Sequence, residues 1–198
     1  MSEGKAIMRT RGSWLSGVLL AGLAFAAAPV QAGVAAVTNG GFESGDFTDW
    51  TGTGNTTFNG VQCPGVDPTV FQGNCSAFFG PIGSLGGISQ VITGLGVGSR
   101  YQVSFAFLPD GGNPSNFSAS FGADSLLSLT NPPAVGYTVY SFSGVIGSTS
   151  QTLAFDFRDD PGFLFLDAVT LAVPEPATIA LLGAALAGLG FSRRRKAA

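Results

Sequence analysis

The chain has 198 residues, only 11% of them charged, with no histidine and two cysteines. Without histidine, neither a Ser-His-Asp nor a Cys-His nucleophile can be assembled, and two cysteines alone do not make a zinc site. Residues 33–173 hold two bases against ten acids, a net charge of −8 compared with −3 for the whole chain, and this excludes nucleic acid as a partner.

The N-terminus places Arg9 and Arg11 before an uncharged apolar run from Trp14 to Ala28, closed by Val30-Gln31-Ala32. That order predicts a signal peptide over residues 1–32, read by the Sec export machinery and cut between Ala32 and Gly33. The run is short for a membrane-spanning helix. Initiation at Met8 instead of Met1 gives a more compact basic leader, so both starts stand.

Residues 33–173 are predicted as one all-β domain. Apolar residues alternate at Tyr101, Val103, Phe105 and Phe107, at Phe117, Ala119 and Phe121, and at Leu153, Phe155 and Phe157. Further strands are expected at 34–38, 76–79, 88–93, 137–142 and 163–171. Turn residues separate them at Pro109-Asp110-Gly111-Gly112, Asn131-Pro132-Pro133 and Asp159-Asp160-Pro161-Gly162. Eight or nine short strands at this spacing predict an antiparallel β-sandwich of the jelly-roll kind.

Cys63 and Cys75, once exported, are expected to form a disulfide. Trp50, the one tryptophan of the domain, has two readings, a core residue or a platform for a sugar ring. The carboxylates leave a glycosidase as the enzyme class still open. Asp159 and Asp160 are poor candidates for it, because adjacent turn residues rarely face each other across a substrate.

The opening Thr38-Asn39-Gly40-Gly41-Phe42-Glu43 with Trp50, and the closing Phe165-Leu166-Asp167-Ala168-Val169-Thr170-Leu171, resemble the two ends of galactose-binding-like jelly rolls, the fold of many carbohydrate-binding modules. The resemblance implies neighbouring first and last strands. It also implies a structural calcium ion with Glu43 and Asp167 as carboxylate ligands.

At the C-terminus, Pro174-Glu175-Pro176 precedes an apolar run from Ala177 to Ser192, then Arg193, Arg194, Arg195 and Lys196. As a helix the run spans about 24 Å, short of the ~30 Å hydrocarbon core by an amount that snorkelling arginines can cover. The basic cluster should stay cytoplasmic and leave the domain outside. This three-part order over residues 174–198 resembles the PEP-CTERM sorting signal. The resemblance implies an exosortase-type enzyme that removes the tail near Pro174–Pro176, and a host that exports polysaccharide.

Together these features predict a non-catalytic protein anchored briefly in the inner membrane of a Gram-negative bacterium. It then passes to the cell surface or extracellular matrix as an adhesion or scaffold module for exopolysaccharide or biofilm. A true carbohydrate-binding module for the producer's own polymer is the alternative.

Overall fold

The computed structural model describes residues 32–35, 37–64, 69–174 and 183. The signal peptide before Ala32, and Glu175, Pro176, Arg193, Arg194 and Arg195 of the tail, lie outside the described residues, as does the expected membrane helix. Among the described residues no helix is long and apolar enough to cross a membrane.

Eleven strands run through the described residues: β1 (Ala32–Ala35), β2 (Thr51–Gly54), β3 (Asn59–Gln62), β4 (Ser76–Phe79), β5 (Gly86–Thr93), β6 (Arg100–Leu108), β7 (Ser115–Phe121), β8 (Asp124–Thr130), β9 (Thr138–Val145), β10 (Ser150–Asp159) and β11 (Leu164–Pro174). They form two antiparallel sheets. One has the order β3-β4-β11-β6-β9, with β1 also paired to β11. The other has the order β2-β5-β10-β7-β8. The first strand lies against the last, Ala32 opposite Pro174, as the jelly-roll resemblance implied.

The alternating apolar rows form the layer between the sheets. Tyr101, Val103, Phe105 and Phe107 of β6 face Phe117 and Phe121 of β7 and Leu153, Phe155 and Phe157 of β10, all fully or almost fully buried. Rings stack across the gap, Phe79 on Phe157 with centroids 3.7 Å apart and Phe107 on Phe117 at 4.0 Å. Each such ring contributes about 1.5–3 kcal/mol of transfer free energy. Phenylalanine fits this layer because its ring fills the space between sheets without bringing in a polar atom that needs a partner.

Strand β11 breaks its own alternation. Leu164 and Leu166 point inward, then Val169 and Leu171 do, a slip of one residue. The register against β6 shifts between Asp167 and Thr170, where Ala168 sits at φ 50°. This β-bulge keeps both halves of the strand facing the core and leaves Asp167 on the outer face.

Three strands have no counterpart in the predicted set: β2, β3 and β8. All three are edge strands with little fully buried surface, so their sequences TGTG, NGVQ and DSLLSLT lack the clean apolar rows of central strands. The first strand occupies 32–35, earlier than expected, because Thr38–Gly41 is a turn.

Candidate functional site

The opening motif folds into a tight knot against the bulge. Gly40 accepts a hydrogen bond from the Val169 amide at 2.8 Å, so close that a Cβ at position 40 would lie 2.0 Å from the Val169 carbonyl oxygen. Only glycine permits that approach. Asn39, at φ 50°, donates through Nδ2 to the carbonyls of Asp46 and Thr48, both at 3.0 Å. Trp50 donates its indole N–H to the Asn39 carbonyl at 3.1 Å. It is 7% exposed and packs beside Phe42 and Phe155. Trp50 as a sugar platform is therefore corrected: with its faces covered by phenylalanines, it is a core residue.

Glu43 and Asp167 are brought together, as the resemblance implied. A Cβ on Gly41 would touch both, 3.7 Å from Glu43 Cγ and 3.9 Å from Asp167 Oδ1. The segment between them is the disulfide loop, Cys63 being bonded to Cys75 with Cα atoms 4.6 Å apart. Glu43 Oε1 accepts the amides of Asn74 and Cys75 at 2.9 and 3.1 Å. Asp167 Oδ2 accepts those of Phe71 and Gln72, both at 2.9 Å, and Oδ1 accepts that of Ala168. Asp167 is wholly buried beneath this loop. Burial pushes its carboxyl above the ordinary range, the three amides pull it back down, and the Glu43 charge adds to the rise. The Tyr137 hydroxyl closes the other side of the loop by donating to the Thr69 carbonyl at 2.8 Å.

The pair fits a calcium ion in kind, since carboxylate oxygens are hard donors and, among the described residues, no backbone amide donates to Glu43 Oε2. Three of its four carboxylate oxygens already accept N–H groups, however. Among the described residues no three histidine, cysteine or acidic side chains converge as a metal cluster. Backbone carbonyls would have to supply most of a six-oxygen shell.

Because the disulfide closes this loop, breaking it should be costly. Cys63→Ser with Cys75→Ser is expected to lose about 3 kcal/mol in a denaturant melt, the chain-entropy value for a loop of this size.

A second arrangement sits at one end of the sandwich, where the β2–β3, β4–β5, β6–β7, β8–β9 and β10–β11 connections gather. There the outer face of the five-stranded sheet forms a groove of ≈ 290 Å³ lined by Leu85, Asn116, Ser118, Ser128 and Arg158, with Phe117 and Leu129 below. The register sets Asn116 beside Arg158 and Thr130, and Ser118 beside Asp156 and Ser128. The Ser118 hydroxyl donates to Asp156 Oδ2 at 3.4 Å, and that of Thr130 to Asn116 Oδ1 at 3.3 Å. Arg158 donates through Nε to Asp160 Oδ2 at 2.9 Å, and this pairing, with the Gly83 amide, holds the Asp160 carboxyl below its usual range. Hydroxyl, amide and guanidinium groups in a row offer complementary donors and acceptors to a polyhydroxylated ligand. Sequence reasoning did not single out these residues. They are the polar half of alternations whose apolar half fixed the core, so position in the pattern alone did not separate them from ordinary solvent-facing residues.

The chain's last described strand runs directly into the tail, and the family comparison begins inside that strand. Residues 172–196 match the PEP-CTERM protein-sorting motif. A PEP-CTERM motif marks an exported, surface-sorted protein and implies processing by an exosortase. No curated protein is similar to this chain in sequence. Its fold, by contrast, recurs in solved structures. TmCBM61, solved with β-1,4-galactotriose, aligns with TM-score 0.57 at 18% identity over 69% of this chain and 97% of that one. The enzymatically active domain of tailspike protein 4 from bacteriophage CBA120 aligns with TM-score 0.54 at 16% identity, over 71% of this chain but 21% of that one. The CBM22-1–CBM22-2 tandem domain of Paenibacillus barcinonensis Xyn10C gives 0.52 at 14%, over 69% and 45%. At these identities the fold is what is shared. The chain thus joins a jelly-roll sandwich, of the fold seen in those structures, to a PEP-CTERM sorting motif.

Proposed function

We propose that this is a non-catalytic surface or matrix protein of a Gram-negative bacterium, whose sandwich acts as an adhesion or scaffold module within exopolysaccharide or biofilm. One observation carries the reading: the sorting motif continues the last strand of a carbohydrate-binding-module-like sandwich, so export and a polymer-binding type of fold occur in one chain. The Sec machinery exports it, and the tail anchors it in the inner membrane until an exosortase releases it. Mass spectrometry of protein recovered from the cell surface should find a C-terminus near Pro174–Pro176, and intact Arg193–Lys196 there would refute the sorting step.

The groove favours a second reading, a true carbohydrate-binding module for the producer's own polymer. Affinity electrophoresis through that polymer separates the two. Retardation lost in Asn116→Ala with Ser118→Ala assigns binding to the groove, whereas matrix retention without retardation assigns the sandwich to scaffolding. A calcium ion held by Glu43 and Asp167 belongs to the same proposal, as a clasp between the two ends of the domain. Calcium should then raise the melting temperature by several degrees, magnesium much less, and the increment should vanish in Asp167→Asn.

A further inference from the structure

At the five-loop end, two carboxyl groups converge on the bare faces of Gly112 and Gly162. A Cβ on Gly162 would lie 2.0 Å from Asp110 Oδ2 and 2.9 Å from Asp159 Oδ2. A Cβ on Gly112 would lie 1.9 Å from Asp159 Oδ1 and 3.2 Å from Asp110 Oδ1. Glycine at both positions is what lets the carboxyl oxygens sit this close to the backbone. The two residues differ in surroundings. Asp110 is exposed and fixed by the amides of Gly112 at 2.8 Å and Phe163 at 2.9 Å. Asp159 is 0% exposed, and among the described residues no N–H or hydroxyl donates to its carboxyl oxygens, whose hydrogen-bonding neighbour is the Asp110 carboxyl.

A buried carboxylate with no partner is expensive, and a second carboxylate beside it raises the cost. Nearby positive charge is already committed, since Arg158 points to Asp160. Burial above all, with the charges of Asp110 and Asp160, pushes the Asp159 carboxyl up to about 7. Its burial also rules it out as a glycosidase acid, because a fully covered carboxyl cannot reach a glycosidic oxygen. What remains for two opposed carboxyls is to bind a cation or to share a proton.

We infer that Asp110 and Asp159 form a divalent-cation site, selective for calcium, that ties the β6–β7 connection to the β10–β11 turn. The donors are hard oxygens, and the surrounding loops are irregular, which suits the flexible, carbonyl-rich shell of calcium better than the strict octahedron of magnesium. Carbonyls of the two loops and water complete the shell. Asp167 lies four residues along the chain from Phe163, whose amide binds Asp110, and neither Glu43 nor Asp167 is a ligand of this site. In register Ser115 stands opposite Asp159, one position from the groove pair Asn116 and Arg158. An ion here would therefore stiffen the mouth of the groove.

The test is calcium stoichiometry. The full chain is stripped with chelator, dialysed against radioactive calcium chloride, and compared with Asp159→Asn, Asp110→Asn, Gly112→Ala and Asp167→Asn. Because Asp110 is exposed, Asp110→Asn reads out the site even if Asp159→Asn fails to fold. Gly112→Ala sets a methyl against Asp159 Oδ1, at a residue whose φ is not positive, and so displaces that carboxyl. The expected result is one fewer bound calcium per chain in each of these three variants, with that ion retained in Asp167→Asn. Calcium binding unchanged in Asp110→Asn and Gly112→Ala would overturn the site and leave a proton-sharing acid pair. So would a wild-type chain that binds no calcium, or one whose only ion is lost in Asp167→Asn.

Discussion

In Phe117→Ala, the domain is expected to lose about 3–5 kcal/mol of stability, enough to lower its melting temperature by roughly 10 °C or more. Phe117 is 1% exposed and stands at the centre of the ring cluster, against Phe105, Phe107, Phe155 and Phe157. These partners come from β6 in one sheet and β10 in the other, so no single strand can shift to fill the cavity. The lost transfer free energy and the cavity term therefore add. Phe58, at 57% exposed, is the control, and Phe58→Ala should change stability by less than about 0.5 kcal/mol. A chemical melt of both variants checks the pair. A small loss in Phe117→Ala would mean that the two sheets can close over the gap.

Asp167→Ala is the second large effect, expected at about 2–4 kcal/mol, and its signature is local. The substitution leaves the amides of Phe71 and Gln72 without an acceptor beneath a covered loop, at about 1–3 kcal/mol for each unsatisfied group, offset in part by removal of a buried charge. The Cys63–Cys75 bond and the contacts of Glu43 with Asn74 and Cys75 still tether the loop, so the fold should survive. Hydrogen exchange should speed up at Phe71 and Gln72 while Asn74 and Cys75 stay protected. Glu43→Ala should invert that pattern. Equal exchange at all four amides in both variants would show that the carboxylates do not anchor the loop.

Legibility in the sequence followed burial. β6, β7 and β10 stood out because each has a partner strand on both sides and one face in the core, so their apolar rows are uninterrupted. The edge strands β2, β3 and β8 were hidden for the opposite reason. In β11 the alternation fails at Ala168, a positive-φ residue no pattern rule anticipates, and the inward positions on its far side follow a bulge. Cys63 and Cys75 were legible from export and number alone. The neighbourhood of Glu43 and Asp167 came through resemblance, and their amide partners at Phe71, Gln72, Asn74 and Cys75 could not, since a backbone N–H leaves no mark in sequence. Asp110 and Asp159 were visible only as turn residues, because no pattern rule joins positions 49 residues apart in two different turns. Trp50 was ambiguous for a plain reason: tryptophan serves cores and ligand platforms alike, and only its neighbours decide.

The pairing of β1 with β11 also brings the two ends of the domain together. Ala32 faces Pro174, so the stretch that follows the leader and the stretch that precedes the tail leave the sandwich side by side. β11 starts at the five-loop end and finishes at the opposite one, and its eleven residues cover roughly 36 Å at strand rise. If the proposed tail holds the domain, the groove and the opposed aspartates lie at the end of β11 away from it. Cleavage after Pro174 would leave every paired residue of β11 in place, although the sorting motif already begins at residue 172.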